Sequence, residues 1–143
     1  MSETLEEILE GFEFLDDWED RYRYVIDLGR ELPEFPAQER TEENKVRGCV
    51  SQVWLVKTIS RNDSGDPILT YQGDSDAMIV RGLVAIVLAV FSGKTAKEIA
   101  DIDVDKIFAQ IGLQEHLTPQ RSNGLNSMVG RIKDDAQAAM ATA

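Results

Sequence analysis

The chain has 143 residues, 43% hydrophobic and 29% charged, which suits one domain whose core needs no covalent staples. A net charge of -11 would repel DNA or RNA, so nucleic-acid binding is not expected. One cysteine and one histidine exclude an internal disulfide and are too few for a Cys/His metal or cluster site.

Leu5, Ile8, Leu9 and Phe12 share one face of a first predicted helix, with Thr4 and Glu7 as its capping box and Gly11 weakening its far end. A second helix starts near Asp16 or Asp17, turns Trp18, Tyr22, Val25 and Ile26 inward and stops before Pro33. Residues 33–43 carry two prolines among acids and read as an extended connection. The whole stretch from Glu3 to Glu43 is strongly acidic; solubility accounts for this, and the functional alternative is steering of a basic partner protein.

A β region follows. Val46 opens a short strand or strand edge, residues 50–59 are rich in β-branched and aromatic types, residues 62–67 signal a turn, and residues 68–72 return. These predict an antiparallel hairpin, extended to three strands by the segment around Val46. Residues 78–91 are apolar nearly all round and end at Ser92-Gly93. Arg81 and the acids just before leave too few apolar residues to cross a bilayer, so this is a buried central helix and no membrane association is expected.

Thr95 and Glu98 cap a short helix, and Val104, Ile107, Phe108 and Ile111 mark another, closed by Gly112. A loop through residues 113–121 leads to a last helix with Leu125, Met128, Val129 and Ile132 on one face. The alanine-rich tail, residues 136–143, is expected to fray. Strands are segregated from helices, which predicts a single α+β domain, residues 1–143, with helices packed on a small antiparallel sheet of about three strands. No N-terminal segment has the pattern of an export signal, and the lone thiol fits a reducing compartment, so a cytoplasmic location is expected.

Cys49 carries the reactive chemistry available to this chain. Gly48 before it permits a turn or bulge that presents the next side chain, and Lys45 and Arg47 could favour the thiolate. Cysteine is also a common buried small hydrophobe, and local chemistry leaves a reactive and an inert thiol both open. Val46, Val50, Val53 and Trp54 could shelter the thiol, with Gly48 as a hinge. A cysteine protease would need a paired base; His116 is the lone candidate and no protease signature accompanies it. Asp74, Ser75 and Asp76 have a plain reading as helix N-terminal residues, and Ser122 as an N-cap with Arg121 a solvated flank.

Three segments together resemble the SufE family: Asn44-x-Val46-x-Gly48-Cys49-x-Ser51-x-Val53-Trp54; Gly73-Asp74-Ser75-Asp76-Ala77 with Gly82-Leu83; and His116-Leu117-Thr118-Pro119-x-Arg121-Ser122-x-Gly124-Leu125. The resemblance runs from about Leu5 to Lys133 and implies a SufE/IscU-like fold. It implies a non-enzymatic sulfur acceptor and activator for a pyridoxal-phosphate cysteine desulfurase, SufS-like or CsdA-like, with Cys49 as the persulfide site. Sulfur would pass to a downstream Fe–S scaffold complex. Partner-binding and loop roles then fall to Arg47, Gly48, Ser51, Gln52, Trp54, Asp74, Asp76, His116 and Arg121. The chain would hold no cofactor or metal of its own and would be a monomer or weak homodimer. The alternatives are a purely allosteric desulfurase-binding subunit with a structural cysteine, or the acceptor of a second, non-Suf desulfurase.

Overall fold

The computed structural model describes residues 4–48 and 51–141. Cys49 and Val50 lie outside the described residues, as do the side chains of Gln114 and His116.

Two helices open the chain. Helix α1 (Leu5–Glu13) is capped by Thr4, whose hydroxyl accepts from the Glu7 amide, and buries Ile8 and Phe12. Helix α2 (Trp18–Arg30) is capped by Asp17 and buries Val25, Leu28 and Gly29. Tyr22, expected to face inward, is 38% exposed, and its hydroxyl accepts from Arg121 near the start of the last helix. A short 3-10 turn, Ala37–Glu39, interrupts the proline-containing connection.

Strands β1 (Val53–Arg61) and β2 (Pro67–Ser75) form a continuous antiparallel hairpin in which Val53 faces Ser75 and Arg61 faces Pro67. The turn is organised by the Asn62 side chain, which accepts from the amides of Ser64 and Asp66. Leu69, Tyr71 and Gly73 point into the core while Thr70 and Gln72 are exposed, the alternation of a sheet covered on one face. The third strand is β3 (Lys94–Thr95), paired with Ile68 and Leu69 on the far side of β2, not the segment around Val46. That segment instead lies along the start of β1: Lys45 and Trp54 form an isolated bridge, and the Val46 amide donates to the Val53 carbonyl at 2.8 Å.

Helix α3 (Met78–Phe91) occupies the centre and packs against both α2 and β2. It comes unusually near α2 because Gly29 and Gly82 face each other. A Cβ on Gly29 would lie 2.6 Å from the Gly82 nitrogen, and one on Gly82 would run into the Val25 carbonyl. Among the described residues no helix is long and apolar enough to cross a membrane.

Three short helices follow: α4 (Ala96–Asp101), α5 (Val104–Ile111) and α6 (Leu113–His116). Thr95 and Glu98 close the full capping box on α4, and Gly112, at φ 76°, ends α5. Helix α7 (Pro119–Ala141) then runs back across α4 and α3. Its start is set by Thr118, whose hydroxyl accepts from the Arg121 amide at 3.2 Å; Ser122 lies inside the helix and is not its cap. Of the tail expected to fray, residues 136–141 are helical, and 142–143 lie outside the described residues. Ala136 and Ala139 continue the buried face of Leu125, Met128 and Ile132, and this packing carries the helix to Ala141.

Side chains on α7 anchor it to the rest of the molecule. Tyr71 donates to Asp135 at 2.9 Å and Lys57 pairs with the same carboxylate at 3.2 Å, joining α7 to the sheet. Burial first, then the adjacent Asp135 charge, push the Tyr71 hydroxyl far above its ordinary range, so it stays a donor. Lys133 donates to the carbonyls of Ala100 and Ile102 at the end of α4.

Candidate functional site

The loop that carries Cys49 is framed by described residues on both sides. Its incoming limb is secured by short-range and long-range bonds. Asn44 donates from its side-chain amide to the Glu39 carbonyl and carboxylate, and its own carbonyl accepts from the Leu55 amide. Arg131 of α7 donates to the carbonyls of Lys45 and Glu43 at 3.0 and 2.9 Å. Val46 is buried, whereas Arg47 and Gly48 are exposed. Gly48 has φ +90°, the left-handed region that side-chain-bearing residues avoid.

The outgoing limb is tied to the other arm of the hairpin. The Asp76 carboxylate accepts from the Gln52 amide at 3.0 Å, and the Asp76 amide donates to the Gln52 carbonyl at 3.3 Å. Asp76 therefore serves the loop and not the amides of α3; the residue preceding α3, Ala77, offers no side-chain cap. Ser75 is likewise the last residue of β2, and its hydroxyl accepts from the Ala77 amide at 3.3 Å.

Asp74 departs further from a helix-terminal role. It sits in β2 opposite Trp54 and is 8% exposed. Its carboxylate lies between two guanidinium groups, Arg40 at 2.7 Å and Arg81 at 3.1 Å. Arg40 also stands 5.8 Å from the ring centroids of both Phe35 and Trp54. Removing one arginine leaves the carboxylate paired with the other, whereas removing Asp74 leaves two guanidinium groups facing each other without their shared anion. This cluster fixes the base of the hairpin, two residues from the bond that holds Gln52.

Beside the outgoing limb is a cavity of about 230 Å³ lined by Ser51, Val80, Leu83, Thr118, Gln120, Arg121, Gly124, Leu125 and Met128. It draws on all three sequence segments: Ser51 from the first, Leu83 from the second, and Thr118, Arg121, Gly124 and Leu125 from the third. Arg121 reaches outward, with its guanidinium 6.0 Å over the Tyr22 ring and a 3.2 Å bond to the Tyr22 hydroxyl. The expected shelter around Cys49 falls outside the described residues; of its proposed walls, Val46, Val53 and Trp54 are buried in the core. His116 lies in α6, one turn before Pro119.

Three residues of this site were not singled out for it from the sequence: Arg40, Arg81 and Arg131. Arg81 gave a signal, as a charge inside an otherwise apolar helix. Arg40 and Arg131 are ordinary surface cations until folding brings them to partners 34 and 86 residues away.

A family model for SufE, an Fe-S metabolism associated domain, matches residues 6–136. The chain belongs to the SufE family. Its relatives include an uncharacterized SufE-like protein of Rhizobium meliloti (strain 1021), 63% identical over 134 residues, covering 94% of this chain and 95% of that protein. A second SufE-like protein, from Rhizobium etli, is 61% identical over 134 residues, covering 94% and 90%. A solution structure of a hypothetical protein from Thermus thermophilus shares the α+β fold, with a TM-score of 0.73 and 19% identity over 96% of each chain. SufE membership gives the chain a role in Fe–S metabolism as a sulfur-related partner of a cysteine desulfurase.

Proposed function

We propose that this SufE protein accepts sulfur on Cys49 from a cysteine desulfurase, stimulates that enzyme, and passes the sulfur towards Fe–S cluster assembly in the cytoplasm. The observation that carries the reading is the framing of the loop: its two limbs are tied independently, by Arg131 and by Asp76, on either side of the chain's one thiol.

The chemistry asked of Cys49 is a displacement at sulfur. Its thiolate attacks the outer sulfur of a persulfide on the desulfurase. A new S–S bond forms at Cys49 Sγ, the donor's S–S bond breaks, and the electron pair leaves on the donor's inner sulfur as a thiolate. No net oxidation occurs and no metal is required. Rate is then set by thiolate fraction and access, as in thiol–disulfide exchange. Arg121, which lines the cavity with Ser51, and exposed Arg47 are the cations assigned in this reading to meet the partner around the loop.

Cys49→Ser tests this reading. The change is nearly isosteric and should cost about 1 kcal/mol or less in stability. The folded variant is expected to lose stimulation of the desulfurase. Full stimulation by folded Cys49→Ser would overturn the carrier role and leave an allosteric subunit.

A further inference from the structure

Helix α7 meets the incoming limb of the cysteine loop at two points spaced i, i+4, on one face of the helix. The first is Ser127: a Cβ on Gly48 would lie 2.6 Å from its Oγ, so the backbone at Gly48 is packed directly against α7. The second is Arg131, whose two terminal nitrogens each bond a different carbonyl, those of Lys45 and Glu43. A planar guanidinium fixes the spacing and direction of two acceptors at once, which the single ammonium of lysine cannot do. On the opposite side, Val46 is 2% exposed and bonded to β1. The limb is therefore held between the sheet and α7.

We propose that Arg131 is a positioning residue for the limb that leads to Cys49, fixing its path and joining it to α7. The proposal deepens the reading of Cys49 as the sulfur acceptor. Its test uses no desulfurase, so the two can fail separately. Lys133 provides a matched control. It lies two residues further along α7 and likewise bonds two backbone carbonyls, but those of Ala100 and Ile102 at the end of α4.

The experiment measures the rate of Cys49 alkylation by iodoacetamide, amide hydrogen exchange over residues 43–48 and Tm, all on the full chain. Arg131→Ala is expected to speed exchange in the limb by more than about tenfold, because both charge-assisted hydrogen bonds to it are lost, and to change the alkylation rate with it. Lys133→Ala should lower Tm to a similar extent and leave both rates at the parent value. Arg131→Lys keeps the charge without the two-pronged geometry, and should fall between parent and Arg131→Ala. Equal rate changes in Arg131→Ala and Lys133→Ala would mean a merely structural bond and overturn the proposal. If Arg131→Ala does not fold, parent-like alkylation and exchange in Arg131→Lys would overturn it equally.

Discussion

Arg121 and Asp74 show two ways in which a charged side chain is used here. Arg121 is half-exposed and its partner Tyr22 lies on the surface, so their contact is worth roughly 0.5–1 kcal/mol. Arg121→Ala should therefore barely move Tm while weakening desulfurase stimulation; a fall in Tm with stimulation per folded molecule unchanged would assign Arg121 to structure alone. Asp74 is the reverse case, enclosed by two arginines with little access to a partner. From sequence, Gly73-Asp74-Ser75-Asp76 before an apolar helix suggests N-terminal capping. That reading failed because β2 runs on to Ser75, and because Arg40 reaches Asp74 only after folding. The same reading fails for Asp76, whose carboxylate accepts from the Gln52 amide across the hairpin and not from an amide of α3.

At the scale of elements, local signals were legible and long-range ones were not. The caps at Thr4 and Asp17, the box at Thr95, the stop at Gly112 and the turn at Asn62 are each made by residues a few positions apart, so the sequence carries them. The third strand and the length of α7 depend on what lies alongside: β3 is two residues long, and the alanines of α7 are helical because they meet a core. The box on α4 has a measurable consequence. Hydrogen bonding from the Thr95 backbone N–H, then from its side chain, holds the Glu98 carboxyl below its ordinary range. A carboxyl whose pKa is depressed by folding adds stability above its unfolded pKa and loses it as pH falls through the folded value. Glu98→Gln should accordingly show a smaller drop in Tm between neutral and acid pH than the parent. Parallel Tm curves for the two proteins would show that the box contributes no pH dependence.

Over the whole molecule, the fold brings three distant stretches of sequence to one end of the hairpin. The close α2–α3 crossing at Gly29 and Gly82 seats α3, α3 supplies Arg81 and Leu83, and α7 supplies Arg121, Ser127 and Arg131. The chain's one thiol thus falls in sequence between two tied limbs, with exposed Arg47 on the incoming limb and a cavity beside the outgoing one. The central claim is that sulfur resides covalently on Cys49 during transfer. The direct test is mass spectrometry of the protein after incubation with a desulfurase and cysteine, without reductant. The account predicts that the peptide containing Cys49 gains the mass of one sulfur atom, removable by thiol reductant. Robust stimulation of the desulfurase with no sulfur on that peptide would contradict it.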